Sequence, residues 1–368
     1  MNKIKLILLL VAAALLLHPA GGRWAWLLGV RWLYVFVVAL LTSYSLTEIL
    51  VPVGHGLKIL DQPAERKMHA FPVPRIGGFA VFAAVILSIF RNLQFSPALT
   101  SLIAGSSIIY VVGLIDDIRP QRASVRLLAQ LAAALVVLLG GVRITSLPAG
   151  FPAKLAIEYV ITIIWLIGIA NAVNFLDGIN GLASGMTALC ALLFFLVAFP
   201  TRQSYLAYTT MALAGGCIGF MPANLRGRIF LGDAGATFIG FLAAGIAVMG
   251  SWAHKNPLVS VSTPLLILSI PIFDMIYTTV SRIKNGRVKS VKQWLEYTDK
   301  DHLHHRLITM GFGANGALVF ILLLNLLIGF GAMVIRFAGP VGAQFLLVQT
   351  VLLFVVVVML MLAGRTIS

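Results

Sequence analysis

The chain has 368 residues, 60% of them hydrophobic and 11% charged, with a mean hydropathy of +0.99. A soluble domain cannot hide that much apolar surface, so a water-soluble globular enzyme is excluded and an integral membrane protein remains. The net charge of +15 comes from Lys and Arg scattered among the connections between apolar runs, which also excludes a basic nucleic-acid-binding domain.

Only helices and closed barrels satisfy their own backbone in lipid. The apolar runs are long and continuous, unlike the alternating stretches of about 10 residues that a barrel needs, and predict an all-α polytopic helical bundle. The basic start Met1-Asn2-Lys3-Ile4-Lys5 leads into an apolar stretch ending at Leu17, the pattern of a secretory signal or a short retained helix. No small-x-small cleavage site precedes the next run, which favours retention. Residues 1–20 are thus set apart from a single membrane domain over 21–368.

Beyond that segment, spans are expected near 27–50, 77–90, 98–115, 127–142, 155–175, 181–199, 205–221, 234–252, 258–281, 315–336 and 341–363. That makes eleven, or twelve with the first segment; short or Gly-rich neighbours are alternatively halves of broken helices. Threading the chain back and forth puts 55–75, 116–126, 176–180, 223–233, 282–314 and both termini on one side, with 19 of the 27 Lys and Arg residues. The positive-inside rule makes that side cytoplasmic. The same parity puts Asp116, Asp117, Asp177, Asp233, His302, His304 and His305 there, which predicts one cytoplasmic site.

Four stretches carry the chemistry. Asp116 and Asp117 end a span as adjacent carboxylates, a pair stable only if a cation neutralises it. Hard oxygen ligands of this kind suit Mg²⁺, unless Arg119, Arg122 or Arg126 simply neutralises the doublet. Asn171, Asn174, Asp177 and Asn180 recur every third position, which on a helix lines one wall with amides and a carboxylate. The other reading of this stretch is a helix end rich in capping residues.

Asp233 sits on a Gly-flanked turn opening a span, as a further metal ligand or as an ordinary N-cap, and a helix N-terminus there offers N–H groups to an anion. His302, His304 and His305 precede Arg306. With no cysteine nearby they fit phosphate oxygens better than zinc. The loop holding Lys67, His69 and Arg75 either grips phosphate or marks the cytoplasmic face. Glu48 and Asp274 are intramembrane ionisable groups, Asp274 being a functional group, a partner of Arg282 or a cap near Pro271. Cys190 and Cys217 both lie in apolar runs, so neither a disulfide nor a zinc site is expected.

In this order, Asp-Asp after a span, Asn-x-x-Asn-x-x-Asp-Gly, Phe-Leu-Gly-Asp-Ala-Gly and His-x-His-His-Arg-Leu resemble the polyprenyl-phosphate N-acetylhexosamine-1-phosphate transferases. These are relatives of the phospho-MurNAc-pentapeptide translocase of bacterial cell-wall synthesis. The resemblance covers roughly residues 45–335, including Arg66-Lys67-x-His69 and Pro74-Arg75-x-Gly77-Gly78. It implies a Mg²⁺-dependent transfer, with Mn²⁺ as a substitute, of a sugar 1-phosphate from a UDP-sugar to undecaprenyl phosphate, releasing UMP.

By position, the metal aspartate falls on Asp233, together with Asp117, and the catalytic doublet on Asp116 and Asp117, joined by His304 and His305. Substrate contacts fall on Asn171, Asn174, Asp177, Asn180, Lys67, His69, Arg75, His302 and Arg306. Asn180 stands where many members carry Asp, and the tail lacks the Pro-Phe-His-His-His pattern of the pentapeptide translocase. The resemblance therefore implies a HexNAc-1-phosphate enzyme of the bacterial inner membrane that begins O-antigen, teichoic acid or another surface polymer. N-acetylglucosamine 1-phosphate is the expected group and a homodimer stays open. The rival readings are phospho-MurNAc-pentapeptide transfer and a secondary transporter, although a transporter would carry its ionisable groups near mid-span.

Overall fold

A computed structural model describes residues 18–63, 71–92, 95–145, 147–148, 150–253, 256–290, 293 and 301–363. The fold is all-α apart from one small hairpin. A short helix α1 (Pro19–Leu27) precedes α2 (Arg31–Gly56). Strands β1 (Leu60–Asp61) and β2 (Val73–Pro74) pair antiparallel, Leu60 opposite Pro74 and Asp61 opposite Val73. Then follow α3 (Gly78–Asn92), α4 (Pro97–Ile118), α5 (Ala123–Leu139), α6 (Lys154–Leu176), α7 (Leu182–Ala198), α8 (Ser204–Asn224) and α9 (Gly232–Met249). The chain closes with α10 (Pro257–Ile267), α11 (Ser269–Lys284), the short α12 (Leu303–Leu307), a π turn at Ile308–Phe312 and α13 (Gly313–Ala363).

Among the described residues eight helical stretches are long and apolar enough to cross a bilayer, and the bent pair α10 and α11 makes a ninth when taken together. Two expected spans, α3 and α5, are short: the 15 residues of α3 reach only about 22 Å, less than the roughly 30 Å of a hydrocarbon core. The two expected spans 315–336 and 341–363 both fall in α13, whose halves pack on each other. Leu346 Cδ2 would lie 3.6 Å from a Cβ at Gly331, and Phe354 stacks on Phe273 of α11 with ring centroids 4.3 Å apart. A straight helix would carry Leu346 about 22 Å past Gly331, so the two halves of α13 lie side by side.

The span expected over 258–281 is instead broken between α10 and α11, which meet at 77° around Leu268. Pro271 has no N–H for the carbonyl of Ile267. That orphan is taken instead by Asn325 Nδ2 at 3.2 Å and Cys190 Sγ at 3.2 Å, while Asn325 Oδ1 accepts from Ile270 N at 3.4 Å. Asn325 is fully buried. Helix starts carry their own caps: Ser96 Oγ accepts from Leu99 N and Asn256 Oδ1 from Leu258 N, each with Pro at the first helical position.

Helix α9 lies at the centre of the core, against α3, α4, α6 and α7. From Gly232 to Ala247 every residue except Asp233 is buried. Small residues let neighbouring backbones approach it. A Cβ at Gly78 would come within 2.6 Å of Gly235 Cα, and one at Gly113 within 2.6 Å of Ala234 Cα. Deeper in, Phe82 stacks on Tyr110 at 4.0 Å and meets Phe238 edge-on at 5.2 Å, locking α3, α4 and α9 together.

Candidate active site

Three chain segments meet at the first turn of α9. The loop after β2 runs beside the segment before α9: Phe230 N donates to Pro74 O at 2.7 Å, Gly77 N to Phe230 O at 2.9 Å and Gly78 N to Leu231 O at 2.8 Å. Gly232 then turns the chain at φ +76°, where a Cβ would lie 2.5 Å from Arg75 O and 2.6 Å from Asp117 Oδ2. Only glycine fits both the conformation and the space.

Asp117, at the end of α4, accepts from the α9 N-terminus: Asp233 N donates to its Oδ1 at 3.2 Å and Ala234 N to its Oδ2 at 3.1 Å. The anion expected at this helix N-terminus is thus the protein's own carboxylate. Arg75 Nη2 adds a hydrogen bond to Asp117 Oδ1 at 2.7 Å. Both oxygens of Asp117 are engaged. Those of Asp116 are as well, since Oδ1 accepts from Gln121 N at 2.6 Å and Oδ2 from Arg126 Nη1 at 3.3 Å.

Asp233 differs. Its carboxylate is 41% exposed and faces Arg75 at 3.8 Å and Arg126 at 3.7 Å, ion-pair distances beyond hydrogen bonding. It opens onto a cleft of about 70 Å³ lined by Asp116, Arg126, Gln130, Asn171, Asn174 and Asp233.

The amide wall is divided in use. Asn171 is locked in a two-way amide pair with Gln130 of α5, at 3.0 and 3.3 Å, and donates to Ile167 O at 2.8 Å. Asn174 Oδ1 is buried with no partner among the described residues. Asn180 is exposed, its Nδ2 3.5 Å from where a Cβ of Gly227 would stand. Asp177 just follows α6; burial, then the charges of Asp233 and Asp117, push its carboxyl well above the ordinary range of 3.8, while Arg75 pulls the other way.

That shift has a consequence for stability. A carboxyl raised in the fold binds more protons folded than unfolded, so its contribution to stability falls as pH rises above about 3.8. Asp177→Asn is expected to raise the melting temperature of the metal-free protein at neutral pH. The gain should shrink toward zero as the buffer nears pH 4. Thermal melts of both proteins in detergent with chelator check this, and equal melting temperatures at every pH would contradict it.

The histidine motif packs against the same wall. A Cβ at Gly178 would overlap His304 Nε2, and the His302 ring lies 5.4 Å from that of Phe175. His304 is buried, with neither ring nitrogen partnered among the described residues. The His305 ring leans on it at 4.2 Å.

His302 is held on both sides, Nδ1 to Asp274 Oδ2 at 2.7 Å and Nε2 to Arg282 Nη2 at 3.2 Å. Because guanidinium only donates, Nε2 accepts and the proton sits on Nδ1, donated to Asp274. Arg282 grips Asp301 through two bonds of 2.8 and 2.7 Å, and Leu303 N donates to Asp274 Oδ1 at 2.7 Å. The pairing of Asp274 with Arg282 weighed from sequence is therefore replaced: Asp274 binds His302, and Arg282 binds Asp301. Arg306 donates from Nε to Asp301 O at 2.9 Å and lies over the Tyr277 ring at 5.2 Å.

Glu48 takes a bidentate bond from Arg228 at 2.8 and 3.0 Å, tying α2 to the segment before α9. Lys67 and His69 lie outside the described residues. Sequence reasoning missed Gln130, Gln121 and Asn325. None carries a charge, and only their partners on other helices mark them.

A sequence-family model described as glycosyl transferase family 4 matches residues 99–251, the stretch holding Asp116, Asp117, the amide wall and Asp233. Over that stretch the chain is similar to glycosyl transferase family 4. Among similar proteins, one of Bacillus subtilis named "probable undecaprenyl-phosphate N-acetylglucosaminyl 1-phosphate transferase" is 29% identical over 315 residues, covering 84% of this chain and 86% of its own. The decaprenyl-phosphate N-acetylglucosaminephosphotransferase of Mycobacterium leprae is 27% identical over 340 residues, covering 83% and 84%. The undecaprenyl-phosphate alpha-N-acetylglucosaminyl 1-phosphate transferase of Yersinia pestis is 27% identical over 301 residues, covering 79% and 80%. In all three matches the similarity runs through most of both chains, well past residues 99–251.

Proposed function

We propose that the protein transfers N-acetylglucosamine 1-phosphate from its UDP-sugar to undecaprenyl phosphate on the cytoplasmic face of a bacterial inner membrane, releasing UMP. The observation that carries this reading is the open Asp233 carboxylate, held between two arginines where the helix-end motifs converge. The names of the relatives support the sugar and the lipid. The product would begin a cell-envelope polysaccharide.

The donor set fits Mg²⁺. Among the described residues no three His, Cys, Asp or Glu side chains form a ready-made metal cage. One or two carboxylates with substrate phosphates completing the shell is the usual magnesium arrangement, and Mn²⁺ suits the same ligands. Asp233 would hold the ion, with Asp177 beside it: burial, and after it the charges of Asp233 and Asp117, raise the Asp177 carboxyl, and a bound cation would offset those charges. Asp117 would contribute by holding the Asp233 backbone. When bound, Mg²⁺ supplies positive charge to the diphosphate oxygens.

The chain's own residues do the rest. Arg75 and Arg126 supply fixed positive charge beside Asp233, where charge spreads during phosphoryl transfer. Asn174 Oδ1 offers a buried acceptor to a sugar or ribose hydroxyl. His304 is a neutral donor or acceptor facing the Asp177 loop.

A lipid phosphate oxygen attacks the β-phosphorus of the donor as the bond to the bridging oxygen breaks, and UMP leaves with that oxygen. A dianionic acceptor and a dianionic donor together carry the charge of the two products, so no proton has to be removed. The engagement of every oxygen of Asp116 and Asp117 favours this direct route over an aspartyl-phosphate.

Purified protein given UDP-N-acetylglucosamine, undecaprenyl phosphate and Mg²⁺ is expected to release UMP and form the lipid diphosphate seen by mass spectrometry. Mg²⁺ alone should raise the melting temperature of the wild type but not of Asp233→Asn. Turnover of UDP-MurNAc-pentapeptide in place of UDP-N-acetylglucosamine, or no UMP from any UDP-sugar, would refute the reading.

A further inference from the structure

Of the two arginines that face Asp233, one is seated firmly and the other is not. Arg75 lies on the loop whose backbone is bonded to the segment before α9, and its Nη2 holds Asp117 at 2.7 Å. Arg126 stands on α5, 3.3 Å from Asp116 and 3.7 Å from Asp233. The first of these distances is long for a charge-assisted hydrogen bond, so Asp116 does not by itself fix the guanidinium. Where Arg126 points is set by the rotation of α5.

Little in α5 resists rotation. Its buried residues are Ala123, Gln130, Ala133, Ala134 and Val137. Val125, Leu128, Leu135 and Leu139 are exposed, and from Leu131 onward the helix carries no polar side chain. In that half it lies against α4 through small residues: a Cβ at Gly105 would come within 2.8 Å of Ala133 O, and one at Gly140 would overlap Ser101 Oγ. Toward Asp233 the cleft lies between the two helices, lined by Gly113 and Asp116 from α4 and by Arg126 and Gln130 from α5. There the entry to α5 is held by the bond from Gln121 N to Asp116.

Gln130 supplies the hold that the alanines lack. It follows Arg126 by four residues, on the same face and one turn deeper. Both ends of its amide engage Asn171 of α6, Nε2 donating at 3.3 Å and Oε1 accepting at 3.0 Å. Asn171 also donates to Ile167 O at 2.8 Å, which braces it against its own helix. Both residues are buried, so water does not compete for the pair. A two-point amide pair is directional, and it fails if either helix turns. With side-chain tips about 6 Å from a helix axis, a turn of about 20° moves them about 2 Å. That is enough to take Arg126 out of ion-pair reach of Asp233, now 3.7 Å away.

We propose that Gln130 is a positioning residue: by clasping Asn171 it fixes the rotation of α5 and so aims Arg126 at the cleft mouth beside Asp233. Gln130 acts through Arg126 and not on the substrate. This inference rests on the transfer reaction proposed above.

The test is a set of variants of the detergent-purified full chain, followed by steady-state UMP release and by thermal melting. Gln130→Leu should lower kcat/KM for the donor about ten-fold, within the loss that a misplacement of about 1 Å causes. In an Arg126→Gln background the same change should cost less than about two-fold, because the group it aims is gone. The exchanged pair, Gln130→Asn with Asn171→Gln, keeps one amide on each helix and should return activity to within about three-fold of wild type. Gln130→Leu with Asn171→Leu strands no amide in the bundle, so it should melt no lower than Gln130→Leu and still show the loss of activity.

A loss that persists undiminished in the Arg126→Gln background would overturn the proposal, since a general loosening of the bundle acts whether or not Arg126 is present. So would an unaffected Gln130→Leu, or an exchanged pair no better than Gln130→Leu. An active wild type is the control that separates the two readings: absence of UMP from every UDP-sugar would refute the transfer reaction itself, and this inference with it.

Discussion

Asp233→Asn is expected to lower transfer by on the order of 10³-fold, the scale on which a single charge-stabilising group acts in phosphoryl transfer. The substitution keeps the shape and leaves the backbone bond from residue 233 to Asp117 in place. Arg75 and Arg126 also keep their carboxylate partners, Asp117 at 2.7 Å and Asp116 at 3.3 Å. What disappears is one negative charge at the cleft mouth. Steady-state UMP release with matched melting profiles checks this, and retention of more than about a tenth of wild-type activity would show that Asp233 is not the principal ligand.

Arg282→Ala is expected to destabilise the protein by about 3–5 kcal/mol, the usual cost of stranding one member of a buried ion pair. Arg282 is 1% exposed and its partner Asp301 8%. Burial alone would raise the Asp301 carboxyl, but the bonds and charge of Arg282 outweigh it and hold the group below its usual range. Removing the guanidinium leaves that carboxylate unpaired and takes a donor from His302 Nε2. The double variant Arg282→Met with Asp301→Leu should recover part of the loss, because no charge is left stranded. Thermal melts of the three proteins decide it. A single variant as stable as wild type would mean the network contributes nothing to holding α12.

The spacing of apolar runs was enough to read the bundle, because each run is long and its ends are marked by charge. What it could not show was length against the bilayer for α3 and α5, or that Gly313 to Ala363 folds back on itself. Those depend on which neighbours are available to pack against. The site was legible wherever a charge stood at a helix end: Asp116, Asp117, Asp177, Asp233 and the histidines all come together.

The division of labour among them was not legible. Asp117 and Asn171 look like ligands in sequence, yet both are spent on the protein itself, one on the first turn of α9 and the other on Gln130. A polar residue next to a site and a polar residue serving it have the same letter. Only a three-dimensional partner separates them, as Asn325 shows at the break between α10 and α11.

The meeting of Gly78 with Gly235, and of Gly113 with Ala234, has a bearing on how such an enzyme can change. Main chain touches main chain there, so the turn carrying Asp233 is seated like a bolt in a sleeve and has no room to tilt or slide. Under the proposed function, new donor sugars would therefore be accommodated from the opposite bank, formed by the Asp177 loop and the histidines. Drift in specificity is expected to gather at positions such as Asn180, while the seated bank stays confined to residues almost without side chains.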